Sequence, residues 1–336
     1  MTAPHHIKSL IRACERFDYQ YTQEDHFSQQ LIRVSRNGHQ VFFGGGSICA
    51  FPINSATSVT VVRDKSHTIN VLSRLGYRVP TGNYFFTRLF KIYEGKGKSA
   101  ADAIHYADSI GYPLIAKPND GSHGAFVEKL RSPSDLHTYL AKIKDKVGCF
   151  RLEKPLVGRE FRLLIVDGKP WYSYCRMSPQ LEFDGIHSVK YHIEQQIERQ
   201  SQEGFSTIDL HSPSISELLI AQDWTLNTIP GKGVCVPFSA ANNISVGGEA
   251  SDYREQFLDS ETAFANELAQ LFNLRVLGVD LFLAEDEQDL SKATILEING
   301  NPGLSVADKL SKTRIISRLW QFVLQETFDK CLISQN

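Results

Sequence analysis

The sequence predicts an α+β fold whose strands pair as antiparallel hairpins rather than as a doubly wound parallel sheet. The strongest observation is Asp167-Gly168, which separates two apolar runs at 161–166 and 170–176, because this dipeptide favours the tight turn of a β-hairpin. The second observation is that strand–loop–strand–helix units recur along the chain, whereas a parallel sheet requires regular strand–helix alternation. With 336 residues, the chain is long enough for about two domains.

Composition and charge exclude several classes of protein. The chain has 36 Lys and Arg against 38 Asp and Glu, a formal net charge of −2, so we expect no nucleic-acid partner. No stretch approaches the roughly 18 apolar residues of a membrane-spanning helix, and charges interrupt the N-terminal region where a signal peptide is apolar. The six cysteines show no CxxC spacing, which argues against a disulfide framework or a zinc site. We therefore expect a cytoplasmic protein without a membrane partner, and a homo-oligomer is left open.

The first part of the chain predicts a reduced N-terminal α/β lobe over 1–62. Phe27, Leu31 and Val34 have helical spacing and Gly38 follows them, so we expect a helix over 24–37. A short strand is predicted at 39–43, and a second apolar run follows at 59–62. Next comes a helix at 66–76, which ends at a glycine.

The rest of the chain predicts two further subdomains, over 63–148 and 149–336. The first is expected to contain helices at 99–111 and from 134, and strands at 113–117 and 126–129. The second is expected to contain strands at 149–154, 161–166, 170–176, 234–237, 277–284 and 293–298, and helices at 259–272 and 311–330. The polar stretch 194–214 fits an acceptor-binding insertion and a surface linker equally well.

Two C-terminal strand patterns carry a candidate metal site. Asp280 lies within an otherwise apolar run, and alternation along the next strand places Glu297 and Asn299 on one face with Ile298 on the other. A buried carboxylate is normally paired or bound to a cation. Three oxygen ligands on adjacent strands suit Mg²⁺, so these residues are the predicted metal ligands.

Candidate nucleotide-binding residues lie in the middle of the chain. Lys117 ends an apolar strand before a glycine-containing loop, where a lysine and free backbone N–H groups can hold phosphates. Lys65 stands at a helix start, and Glu153 and Glu160 flank an extended segment that can pair with an adenine edge and a ribose. Each of these residues taken alone is more typical of a solvated surface position.

Taken in order, these segments resemble the ATP-grasp superfamily of carboxylate–amine and carboxylate–thiol ligases. The segments that carry the resemblance are DKSHT, PLIAKPNDGSHG, LEKPLVGREFRLLIVDGK and LGVDLF…ILEINGNPG. Three more, FRLLIVDGKPW…CRMSP, FDGIHSVKYHI and PFSAANNISVGGEASDY, are most similar to the ATP-grasp region of cyanophycin synthetase and of bifunctional glutathione synthetases. The resemblance runs from about Ser58 to Leu304. It implies an ATP-grasp fold, in which two α+β lobes clamp ATP beside the reduced N-terminal lobe.

The resemblance also implies roles for individual residues. The ATP-binding residues it implies are Lys65 and Lys117 for the phosphates, Ser122, His123 and Gly124 in the closing loop, Glu153, Lys154 and Leu156 at the adenine hinge, and Glu160 at the ribose. The catalytic residues it implies, beside the transferred phosphoryl group, are Arg162, Arg176 and Lys117. Asp280, Glu297 and Asn299 are implied as ligands of Mg²⁺ or Mn²⁺. The acceptor-side residues it implies are His187, Asn243, Gly247 and Gly248.

The chain departs from the family pattern at two places. Ala125 stands where the family loop usually has a glycine, and 239–242 replace the arginines that precede the family's NxSxGG segment. The family's further ligase domains are also not found, so we expect a stand-alone ligase with its own substrate. The implied reaction joins the carboxylate of an amino acid or short peptide to an amine through an acyl phosphate. A small-molecule kinase with the same site and a non-catalytic ATP-binding module remain as alternatives.

Overall fold

The computed structural model describes residues 3–46, 48–87, 96–121, 126–177, 180–202, 210, 213–237, 249–311 and 313–333. Across these residues the fold is α+β, and its sheets are built from antiparallel pairs. The predicted fold class is therefore confirmed.

The N-terminal part contains a helix and a three-stranded sheet. Its elements are α1 (His5–Phe17), β1 (Gln20–Gln23), β2 (Leu31–Arg36) and β3 (His39–Gly44). The predicted helix over 24–37 is wrong, because Ile32 and Val34 are buried at alternate positions of β2 and pair with β3. Asn37 and Gly38 both have positive φ, 52° and 80°, and form the two-residue hairpin turn that an Asn-Gly pair favours. The predicted strand at 39–43 is confirmed.

The second group of elements builds a four-stranded sheet in the order β4-β7-β5-β6. The elements in this part of the chain are α2 (Ala56–Arg63), α3 (Lys65–Arg74), β4 (Gly82–Phe86), α4 (Ala100–Ile110), β5 (Leu114–Pro118), β6 (Glu128–Leu130), α5 (Pro133–Ile143) and β7 (Cys149–Glu153). The helices α2 and α3 contribute to the core of the five-stranded sheet described next. The helices α4 and α5 share a hydrophobic core with the four-stranded sheet, centred on Tyr139 and Phe150. The predicted boundary at 149 falls immediately before β7, which pairs with β4 and β5 in this sheet.

The third group builds a five-stranded sheet in the order β12-β9-β8-β13-β14. Its strands are β8 (Arg159–Val166), β9 (Lys169–Met177), β12 (Glu249–Arg254), β13 (Val276–Leu283) and β14 (Thr294–Asn299), and α8 (Asp259–Phe272) packs beside them. The predicted hairpin at Asp167-Gly168 is confirmed as the turn between β8 and β9.

A small unit with its own core lies between β9 and β12 in the sequence. It consists of β10 (Gln180–Glu182), α6 (Val189–Gln202), α7 (Pro213–Ala221) and β11 (Cys235–Pro237). Phe183, Val189 and Ile193 are among the residues of this core. The first part of the polar stretch 194–214 belongs to α6, which ends at Gln202.

The chain ends with α9 (Ser305–Leu310) and α10 (Arg314–Ile333). The fully buried Trp320 of α10 stacks on Phe51 with ring centroids 5.5 Å apart. The N-terminal sheet, α1 and α10 therefore share one core. Among the described helices, none combines the length and the apolar character that crossing a membrane requires.

Candidate active site

A buried ion-pair network lies on one face of the four-stranded sheet. Lys117 on β5 stands opposite Arg151 on β7, and Glu153, two residues further along β7, points to the same face. The Glu153 carboxylate accepts from Lys117 Nζ at 2.6 Å and from Arg151 Nε at 2.7 Å. Burial alone raises the pKa of Glu153, but the two cations outweigh it and hold the pKa below its ordinary value.

The N-terminus of α3 connects this sheet with the five-stranded sheet. The Lys65 backbone N–H donates to Asn119 O, just beyond β5, and its Nζ donates to Gly121 O at 3.1 Å. The same Nζ lies 3.2 Å from the Glu297 carboxylate on β14. Lys65 is thus buried between Gly121 and the candidate metal ligand Glu297.

A second charge network lies on the five-stranded sheet. The β8–β13 register places Arg162 opposite Asp280, and the β8–β9 register places Glu160 opposite Arg176. Arg162 Nη2 donates to Asp280 at 2.9 Å, and Arg176 Nη1 lies 2.7 Å from Glu160 and 3.2 Å from Asp280. Two guanidinium groups therefore converge on one carboxylate.

The two carboxyl groups of this network have opposite pKa shifts. Burial raises the pKa of Asp280, but the charges of Arg162 and Arg176 outweigh it and lower the pKa below its ordinary value. For Glu160, burial together with the negative charge of Asp280 outweighs Arg176, so the pKa is raised. Asp280 therefore stays ionised as a cation ligand must, because protonation would remove its charge.

The three predicted metal ligands share one face of the sheet. Asp280 stands opposite Glu297 in the β13–β14 register, and Gly278 stands opposite Asn299, so the side chains of Asp280, Glu297 and Asn299 project to the same side. The buried Nδ2 of Asn299 has no hydrogen-bond partner within the described residues. A carboxylate has room for about four contacts, so Asp280 can keep both arginines and still bind a cation. The donor set fits Mg²⁺.

Gly278 makes space for one of the arginines. A Cβ added there would lie 2.8 Å from Arg162 Nη1 and 2.7 Å from Pro302 Cβ, closer than non-bonded atoms tolerate. The missing side chain thus allows the Arg162 guanidinium to lie over β13 beside Asp280.

The remaining predicted residues are only partly described. Lys154 donates its backbone N–H to Thr81 O and its Nζ to Gly111 O at 2.9 Å, and Leu156 is half-buried in the segment between β7 and β8. His187 lies before α6, where its Nδ1 is 2.6 Å from Asp184, and its predicted acceptor-side role stays a prediction. The predicted residues outside the described part of the chain are Ser122, His123, Gly124, Asn243, Gly247 and Gly248.

Two residues of the site were not anticipated from the sequence. Arg151 is 1% exposed and links Glu153 to the Ser66 hydroxyl at 3.1 Å. The Asn119 side chain accepts from the Ser66 backbone N–H at 2.8 Å, which fixes the loop after β5 to α3. Strand alternation could have identified Arg151, since it is two residues from Glu153 and therefore on the same face.

Comparisons with known proteins find similar sequences and a similar fold. No protein-family model matches the chain. The chain is 27% identical over 256 residues to cyanophycin synthetase of Nostoc sp., covering 73% of this chain and 27% of that protein. It is 24% identical over 294 residues to the glutathione biosynthesis bifunctional protein of Streptococcus agalactiae, covering 81% of this chain and 36% of that protein. The chain thus spans about a quarter to a third of the length of these relatives.

A solved structure shows the same fold. The bifunctional glutathione synthetase from Pasteurella multocida aligns over 98% of this chain and 44% of its own, with a TM-score of 0.58 and 19% identity. The predicted resemblance and the predicted ATP-grasp fold are therefore confirmed.

Proposed function

We propose that this chain is an ATP-dependent, ADP-forming carboxylate–amine ligase that acts on an amino acid or short peptide. The observation that carries the proposal is that buried cations lie beside a set of carboxylate and amide oxygens that suits Mg²⁺. Lys65 lies between the loop after β5 and Glu297, while Arg162 and Arg176 meet at Asp280. Such a set of charges is suited to hold the phosphates of ATP.

The proposed reaction begins with phosphorylation of the substrate carboxylate. A free carboxylate is a poor electrophile because its leaving group would be oxide, whereas an acyl phosphate has a good leaving group. Lys117 and Lys65 would position the phosphates, and Arg162 and Arg176 would neutralise charge on the transferred group. Mg²⁺ or Mn²⁺, held by Asp280, Glu297 and Asn299, would supply charge neutralisation at the phosphates when bound. Attack by the amine then forms the amide and releases phosphate.

The residues that bind the nucleotide and the acceptor are proposed from the resemblance to ATP-grasp ligases. We propose that Glu153, Lys154 and Leu156 line the adenine and that Glu160 binds the ribose. The loop residues Ser122, His123 and Gly124 would close over the phosphates. The acceptor-side residues are proposed to be His187, Asn243, Gly247 and Gly248. The cytoplasm, where thiols stay reduced, is the proposed location.

The reaction class is tested by the substrate requirement for ATP turnover. Amino acids and short peptides are screened singly and in pairs for ADP release by the purified chain with ATP and Mg²⁺. We expect rapid ADP release only when an acid and an amine are both present, together with an amide product. A small-molecule kinase would instead release ADP with one substrate and form a phosphorylated product, and that outcome would overturn the ligase assignment.

A further inference from the structure

The turn before α6 brings together three side chains that commonly bind metal ions. The ligand atoms of Asp184, His187 and His192 all lie within 4.8 Å of one another. His187 Nδ1 is 2.6 Å from one Asp184 oxygen, and His192 Nε2 is 3.2 Å from the other. Tetrahedral donors around Zn²⁺ are about 3.3 Å apart, given bonds near 2.0–2.1 Å, so only small rotations separate this arrangement from a metal site.

The local structure fixes each of the three side chains. Asp184 Oδ1 accepts from the backbone N–H groups of Ile186 and His187, at 2.8 and 2.9 Å. The His187 ring stacks on Tyr191 with centroids 4.1 Å apart. The carboxylate is therefore oriented before any ligand arrives.

The second imidazole and the turn itself are also held in place. The His192 ring packs edge-to-face on the buried Phe183, with centroids 4.9 Å apart. Gly185 has φ +77°, and a Cβ there would lie 3.0 Å from the Lys232 backbone nitrogen, so glycine is needed for the turn to bring Asp184 under both rings. Support of ligand orientation by surrounding groups is what raises the affinity of a metal site.

We propose that Asp184, His187 and His192 form a binding site for a divalent transition-metal ion of the zinc class, separate from the magnesium ligands. Two imidazole nitrogens and one carboxylate oxygen are a donor set typical of Zn²⁺. His187 is exposed, Asp184 is half-buried and the His192 side chain is 14% exposed, so an ion can enter from solvent and complete its shell with water. The bound ion would link Asp184 and His187 of the turn at 184–188 to His192 in the first turn of α6.

The site is tested by zinc binding to the full chain after treatment with a chelator. Zn²⁺ is titrated against a chromophoric competitor in a large excess of Mg²⁺, which occupies the hard oxygen site. We expect one zinc equivalent that is lost or weakened at least tenfold in His192→Gln, with an unchanged result in His105→Gln. His105 is a matched control because it is exposed on α4 and its Nδ1 lies 2.9 Å from Ala101 O.

Two further measurements separate this site from other zinc-binding groups. Co²⁺ bound at the proposed site should give visible absorption without the near-ultraviolet band of a cobalt–thiolate bond, which excludes the cysteines. Zinc should also raise the unfolding temperature of the wild type but not of His192→Gln. Equal zinc binding by the wild type and His192→Gln, or no binding by the wild type, would overturn the proposal. The variant at His192 leaves the proposed acceptor role of His187 outside this test.

Discussion

Replacing Lys117 by methionine removes the charge of the lysine and keeps most of its volume. In the structure Lys117 Nζ lies 2.6 Å from Glu153, but Glu153 keeps a second partner in Arg151, at 2.7 Å. Breaking a buried ion pair costs about 3–5 kcal/mol, and the remaining arginine places the expected loss at about 3 kcal/mol. A hydrogen bond to a charged group contributes about 1.5–3 kcal/mol, so ATP affinity should fall about 10- to 150-fold.

The assay combines calorimetric titration with Mg·ATP and urea unfolding of the same variant. Lys142→Met is the control, because Lys142 is exposed on α5 and pairs with Glu128 at the surface, where an ion pair contributes about 0–1 kcal/mol. The control should bind ATP like the wild type. A folded Lys117→Met variant with wild-type ATP affinity would refute the placement of the phosphates beside β5.

Three further predictions concern single positions. Glu297→Ala should lower turnover by orders of magnitude at limiting Mg²⁺ while circular dichroism stays native, because Glu297 is half-buried on a sheet face; wild-type turnover would contradict its role as a ligand. Glu153 has a lowered pKa, so its ionised form stabilises the fold above about pH 4.3, and this stability is lost as the pH falls through the folded-state pKa. Glu153→Gln should therefore flatten the acid side of the urea-unfolding profile, and an unchanged slope would show that its charge is not coupled to folding. Gly278→Ala should displace Arg162, cost about 1–3 kcal/mol and lower kcat, and unaltered stability and kinetics would contradict the close approach of the guanidinium.

Local sequence patterns predicted the strands that carry the site better than they predicted the N-terminal lobe. The hairpin at Asp167-Gly168 follows from turn chemistry and is confirmed, as is the predicted helix at 259–272. The helix prediction for 24–37 was wrong. Phe27, Leu31 and Val34 fit helical spacing, but Asn37-Gly38 is a hairpin turn that aligns β2 with β3. The two-residue turn, and not the helical spacing of the apolar residues, therefore determines the local structure.

The pairing of charges could be predicted only in part. Alternation along β14 was enough to place Glu297 and Asn299 on one face. The contact of Arg162 and Arg176 with Asp280 depends on the order of strands β9-β8-β13, which no local pattern encodes. Long-range neighbours of this kind arise from sheet topology and become visible only in the fold.

The central claim is that a carboxylate is activated as an acyl phosphate. It is tested most directly by following the carboxylate oxygen atoms of the acid into the products. The acid found by the substrate screen is labelled with ¹⁸O in its carboxylate, and the phosphate, nucleotide and amide products are analysed by mass spectrometry. We expect that one labelled oxygen passes to inorganic phosphate for each amide formed and that ADP accumulates. An adenylating ligase would place the label in AMP, and unlabelled phosphate accompanying the amide would contradict the acyl-phosphate route.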